Sequence, residues 1–204
     1  MIEDSELAVA RQQLAVQLGR LSHGTVRYSG DEQLIADATA QLHALADRFE
    51  LHQVRVREPG DMSRNDAALV PVGSVLSTHE FRPFSGPGSP WGTNIVVRRS
   101  DAGVEGLVTL GAGHEGAPGR SHGGIVAGLL DDISGYVLHT EQTAAFTGEL
   151  TVRYEAPMPL HVPLVLKAWL DNAMGRKLFI VAEVWHGQQR IAFSRGTFIR
   201  GATD

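Results

Sequence analysis

The residues best suited to chemistry lie in one run, HEGAPGRSHGGIVAGLLDDISG, residues 114–135. Gly123 and Gly124 stand together, directly after His122, where an apolar stretch with helical spacing begins. Inside a helix a glycine is about 1 kcal/mol worse than alanine, while the first-turn N–H groups have no acceptor within the helix. Without a Cβ, a carbonyl oxygen can rest directly on such amides, where the helix dipole adds roughly half a positive charge. That combination suits an oxyanion or a polarised carbonyl. A tight loop or a close helix–sheet contact would use the same two glycines, and on spacing alone this simpler use is favoured.

Asp131 is the second candidate. If 122–137 is one helix, Ile125, Val126, Leu129, Ile133, Tyr136 and Val137 share a face that should pack on a sheet. Asp131 then points away from that face and Asp132 sits at its edge. Asp131 follows His122 by nine residues, about 13 Å along the axis and half a turn round. One chain would struggle to bring the helix start and Asp131 to a single small substrate, whereas two antiparallel copies of the helix could. A site shared across a dimer interface is one reading. A solvated acid on an outer helix face, the commoner situation for a lone Asp, is the other.

The elements that must position these residues can be read from periodicity. Residues 5–21 place Leu7, Ala10, Leu14, Leu18 and Leu21 on one helix side behind a cap at Asp4 or Ser5, and residues 31–52 repeat the pattern with Leu34, Ile35, Ala38, Leu42, Leu45 and Phe49. Ser29-Gly30-Asp31 supplies the turn and second cap, which predicts a helical hairpin. An aperiodic connection containing Pro59-Gly60 follows, up to about Ser74. Strands are expected over Thr93–Arg98 and Val104–Leu110, a loop over Gly111–Arg120 and a helix over Ser121–Thr140. Four more strands are expected over Thr143–Tyr154, Val162–Leu170, Lys177–Trp185 and Arg190–Arg200. One helix followed by a meander of long strands argues for an α+β domain. The chain divides into an N-terminal helical extension with linker, 1–73, and a main domain, 74–204.

Composition narrows the function classes. In 204 residues, 43% hydrophobic and 20% charged, the balance is that of a soluble globular protein. The formal net charge is -5 with no Lys/Arg cluster, which argues against nucleic acid as a partner. There is no cysteine, which excludes disulfides, thiolate metal sites and a cysteine nucleophile. No apolar run approaches the roughly 20 residues of a membrane span, and the first residues carry charges where a signal peptide needs an apolar stretch. The expectation is a cytoplasmic protein. His114 is assigned no role, and His139, His161 and His186 read as solvated or turn residues without metal-site spacing.

Residues from about 104 to 200 resemble the hotdog-fold thioesterases, in particular the branch of the phenylacetate-pathway thioesterase and the mammalian mitochondrial acyl-CoA thioesterases. The matching features are Glu115-Gly116-x-Pro118-Gly119, His122-Gly123-Gly124, Asp131 nine positions after that His, and Thr147. They continue with Tyr154…Pro157-x-Pro159, Gly175-Arg176-Lys177 and Gly196-Thr197-Phe198. The resemblance implies an antiparallel sheet wrapped around a long central helix, with the N-terminal helices outside it, and a homodimer or dimer of dimers with the active site at the subunit interface. It implies hydrolysis of an acyl-CoA thioester in lipid metabolism, with no cofactor and no metal. Carried over by position, Asp131 is general base or nucleophile, Thr147 is its polar partner, and the amides near Gly123 and Gly124 hold the thioester carbonyl. His122 belongs to the same loop, and its expected part is to fix the helix start. Arg176 and Lys177 match a position that contacts the nucleotide in relatives, and Arg153 is a weaker candidate for the same task. Some relatives carry an Asn six residues before the HGG histidine. Here that position is Gly116, which puts in doubt an Asn that places water.

A thioester is an activated acyl donor, so its hydrolysis needs water, a carboxylate and a polarised carbonyl. Asp131 could take a proton from water or attack directly to form an anhydride, and the sequence leaves both open. Two rival readings stand beside this one. A non-catalytic acyl-CoA-binding protein could keep the same fold. A hotdog hydratase or dehydratase would need a histidine partner for Asp131 that the sequence does not supply.

Overall fold

The computed structural model describes residues 5–56, 70–77 and 79–201. Two helices, α1 (Ser5–Arg27) and α2 (Glu32–Glu50), precede a mixed domain. It consists of β1 (Val96–Arg99), β2 (Val104–Thr109), a short 3-10 turn (Ala112–His114), α3 (Gly123–Thr140), β3 (Ala145–Tyr154), β4 (Pro163–Met174), β5 (Lys177–His186) and β6 (Gln189–Arg200). Among the described residues, the six strands form one antiparallel sheet in the order β1-β2-β4-β5-β6-β3, which leaves β3 paired on one side only. This is the α+β arrangement expected, with each predicted strand present and its ends shifted by a few residues.

The core lies between α3 and the sheet. Alternation along β5 buries Leu178, Ile180, Ala182 and Val184, and β4 adds Leu164, Leu166 and Ala168. Against them α3 buries Val126, Leu129, Ile133, Tyr136 and Val137, the face predicted from its spacing, with Ile125 partly buried at its margin. Each fully buried Leu or Ile contributes about 1.5–3 kcal/mol, so the register of α3 on the sheet is strongly determined. Leu130 and Asp132 are buried as well, which the single-face pattern does not predict.

Their burial has a local cause. Residues 79–92 form an irregular strap across the outer side of α3, held by its own backbone bonds such as Gly88 N–H to Glu80 O (2.9 Å) and Thr93 N–H to Phe84 O (2.8 Å). Phe84 rests on Gly128 and Arg82 on Gly135, so closely that a Cβ at either glycine would overlap the side chain above it. Residues 73–76 then run beside β1, bonded to Val97 and Arg99.

The N-terminal helices differ from expectation in two ways. α1 continues to Arg27 instead of stopping near Leu21, because its last turns dock on the 3-10 turn. There Gly113 N–H donates to His23 Nδ1 (2.8 Å), and the His23 and His114 rings meet edge to face at 4.8 Å. α2 begins at the predicted cap, where Asp31 accepts from Leu34 N–H at 2.8 Å, yet none of its residues is buried. Leu34, Ile35, Leu42 and Phe49 are all substantially exposed, so the hairpin is not a closed packing unit. Asp4, one of the two predicted α1 caps, and Pro59-Gly60 lie outside the described residues.

Candidate active site

Asp131 lies half-buried on the outer side of α3 and accepts a hydrogen bond from Thr147 Oγ1 at 2.9 Å. Thr147 reaches it because β3 bulges between Thr147 and Glu149, where Gly148 is the extra residue. Bulges of this kind re-aim a side chain without breaking the strand. Thr147 pairs with Phe198 of β6, whose buried ring marks the helix-facing side of the sheet. Asp131, Thr147, Leu138, Phe146, Phe198 and Arg82 line a cleft of about 270 Å³. A carboxylate oriented by a hydroxyl beside a partly apolar cleft can take a proton from water or attack an electrophilic carbon.

The helix start forms a second, separate cluster of candidate residues. His122 is the N-cap, and its Nδ1 accepts from Gly124 N–H at 3.0 Å. Its side chain is exposed, and its own N–H donates to His114 O at 2.9 Å. Gly124 N–H is therefore engaged within the chain. Gly123 N–H donates to no acceptor among the described residues, which makes it the amide open to an incoming carbonyl. Tyr154 Oη donates to Gly123 O (2.9 Å), tying the end of β3 to the helix start.

These two clusters stand apart within the chain. Gly123 and Asp131 are eight residues apart on α3, about 12 Å of rise. Thr147 and Tyr154 are seven residues apart on β3, roughly 23 Å. The basic candidates divide in the same way. Exposed Arg153 adjoins Tyr154 at the helix-start end. Arg176 and Lys177 lie at the Asp131 end, since Lys177 pairs with Ile199 and Ala145 with Arg200. Lys177 is exposed, whereas Arg176 donates Nε and Nη2 to Arg200 O at 3.1 and 2.8 Å, closing the β4–β5 turn on β6.

Sequence reasoning missed the charged groups behind Asp131. Arg82 Nε donates to Asp132 Oδ1 at 2.9 Å, its Nη2 donates to Asp132 O, and its guanidinium lies 4.7 Å from the centre of the Tyr136 ring. Burial raises the Asp132 carboxyl above its ordinary range, with Arg82 opposing the shift. His79 and His139 line the same cleft as Asp131. His139 is not the solvated residue expected: burial, with help from Arg82 and His79, lowers it to about 4. His114 is likewise lowered to about 4, by burial first and His23 second. His161 and His186 are exposed, as read from the sequence. The signal that could have revealed the strap is the pair Gly128 and Gly135, two costly glycines flanking Asp131 and Asp132 inside a helix. Among the described residues no group of three or more His, Asp or Glu side chains forms a candidate metal site, and no helix is long and apolar enough to cross a membrane.

Comparison with known proteins bears on the fold and the family resemblance. The profile of the thioesterase superfamily matches residues 119–193, which include the helix start, Asp131 and Thr147. The acyl-coenzyme A thioesterase THEM4 of Mus musculus is 30% identical over 104 residues, 51% of this chain and 43% of the mouse protein. The match thus spans less than half of that relative. A thioesterase superfamily protein of known crystal structure superposes with TM-score 0.78 at 25% identity, covering 93% of this chain and 90% of its own. The PaaI protein from the phenylacetic acid degradation operon of E. coli shares the fold of the main domain, with TM-score 0.50 at 22% identity over 53% of this chain and 84% of its own. Sequence and architecture converge: residues 119–193 match the thioesterase superfamily, and the chain shares the hotdog fold of a solved member of that superfamily.

Proposed function

We propose that the protein is an acyl-CoA thioesterase that acts as a homodimer or a dimer of dimers. The observation that carries this reading is the Thr147–Asp131 hydrogen bond at the cleft, with the open Gly123 amide at the other end of the same helix. In an antiparallel pair, Asp131 of one copy would face the helix start of the other. The edge of β3 that is unpaired among the described residues, where Phe146 and Tyr154 are half-exposed, supports edge-to-edge pairing of two sheets.

The substrate carbonyl then rests on Gly123 N–H with the α3 dipole behind it. His122 holds the first turn in place through Gly124 N–H. Asp131, oriented by Thr147, takes a proton from water as the water oxygen attacks the carbonyl carbon. The tetrahedral oxyanion collapses, the C–S bond breaks, and the leaving thiolate receives the proton. Direct attack by Asp131 would instead break the C–S bond, release the thiolate, which takes a proton from water, and form an anhydride that water then opens. A single turnover in ¹⁸O-water that leaves label in the Asp131 carboxylate identifies the second route, with water opening the anhydride at the Asp131 carbon. Lys177 and Arg176 at one end, and Arg153 at the other, would meet the phosphates of coenzyme A at the mouth of the shared site. Residues 74–204 form the catalytic domain and residues 1–73 a helical extension. The support for an acyl-CoA substrate is the likeness to the mouse thioesterase and the chemistry of the two clusters.

Thiol release from short, medium, long and aryl acyl-CoAs tests the reading, with wild type compared to Asp131→Asn. Turnover on at least one thioester, reduced a hundredfold or more in the folded variant, is the expected result. A folded wild type that releases thiol from none of them would refute it, and tight acyl-CoA binding without release would identify a binding protein instead. Mixing Asp131→Asn with a Gly123→Val variant should restore activity only if the site is shared between copies.

A further inference from the structure

We infer that Arg82, through its pairing with Asp132, is a positioning residue for Asp131. This rests on the proposed thioesterase reading. It concerns the strap of residues 79–92, which lies outside the stretch matched by the family profile.

Arg82 grips the residue that directly follows Asp131 at two points, the Asp132 carboxylate (2.9 Å) and the Asp132 carbonyl oxygen. A guanidinium can do this because its N–H donors form a rigid planar fork, which an ammonium lacks. The α3 peptide carrying Asp131 is therefore held from the strap side, while Thr147 holds the carboxylate itself from the β3 side. Asp131 is left with little freedom to turn from the cleft.

The helix is shaped to admit this contact. Gly135 is where a Cβ would overlap Arg82 Nη2, and Gly128 is where one would overlap the Phe84 ring. Each glycine weakens an 18-residue helix, and together they seat the strap one turn before and one turn after Asp131. Tyr136, with its ring beneath the guanidinium, completes the seat.

Arg82 also solves a charge problem. Asp132 is 7% exposed and adjoins Asp131 in the chain. A second, uncompensated carboxylate there would both resist burial and repel the charge that Asp131 must carry and the oxyanion it must generate. Arg82 offsets Asp132 and itself lines the Asp131 cleft, beside His79 and His139. The net charge at the reacting carboxylate is then that of Asp131 alone.

The test measures kcat, KM and thermal midpoint on the full chain with the acyl-CoA that wild type turns over best. Arg82→Lys keeps the charge but not the fork. Arg82→Met with Asp132→Leu removes both charges together and leaves neither buried and unpaired. The double variant should stay folded, with kcat reduced tenfold or more and KM changed less than about twofold. Arg82→Lys should show the same split, with a smaller fall in kcat. A folded double variant with wild-type kcat overturns the inference, as does a loss that appears in KM instead of kcat. If the double variant does not fold, Arg82→Lys decides alone: wild-type kcat in it overturns the inference. A wild type silent on every thioester would bring down the thioesterase reading itself and this inference with it, an outcome distinct from active wild type with unaffected variants.

Discussion

Replacing Thr147 by Val removes one hydroxyl and little else. The side chain is exposed on a strand where β-branched residues are at home, so folding stability should change by less than about 0.5 kcal/mol. What is lost is the 2.9 Å O–H···O hydrogen bond to Asp131. Hydrogen bonds to charged groups contribute about 1.5–3 kcal/mol when desolvated. At this exposed position about 1–2 kcal/mol is the better figure, which corresponds to roughly a 5- to 30-fold loss of rate if the bond orients the reacting carboxylate. The loss should fall on kcat, because Thr147 holds Asp131 in place and need not touch the ground-state thioester. Thr147→Ser, which keeps the hydroxyl, should retain most of the activity. The assay is initial-rate thiol release across a range of acyl-CoA concentrations, paired with a thermal melt of each variant. A Thr147→Val protein with wild-type kcat and an unchanged melt would refute the reasoning. A rate loss accompanied by a large drop in melting temperature would move the effect from the site to the fold.

Two further outcomes are expected. His122→Ala removes the N-cap bond to Gly124 N–H and should cost about 1 kcal/mol in a urea titration. Its effect on kcat should be smaller than that of Asp131→Asn, since in the proposed mechanism His122 supports the amides and does not touch the proton that moves. The second outcome is a loss of stability on mild acidification. His114 and His139 are both lowered from 6.5 to about 4. Below 6.5 the unfolded chain takes up protons there that the folded chain refuses until about 4, so stability declines as pH falls through that window. Both rings are partly buried, and solvent screening reduces the contribution to about 1–2 kcal/mol each. Asp132, raised by burial, works in the opposite direction. Comparing wild type with His139→Gln by urea midpoints at pH 7.5 and 5 isolates the histidine; equal midpoint changes in the two proteins would rule it out as a source.

Much of this protein is determined locally and was therefore legible in its sequence. The alternation in β5, the 3.6-residue spacing in α3 and the cap at Asp31 each express a preference that neighbouring residues satisfy among themselves. The separation of Asp131 from Gly123 followed from helix geometry alone. Tertiary structure decided the rest. Asp132 and His139 look like ordinary surface positions of α3 until the strap covers them, and the strap has no periodicity to announce it. Its key contact, Arg82 to Asp132, joins residues 50 positions apart in the chain. In the same way, His23 docking on Gly113 carried α1 past its predicted end, across 90 residues of sequence. Which helix-start amide stays open was also undecidable from spacing, because it depends on the rotamer by which His122 takes the Gly124 N–H for itself. Periodicity records which face of an element meets the core; it carries no trace of an irregular segment that arrives from elsewhere to bury the opposite face.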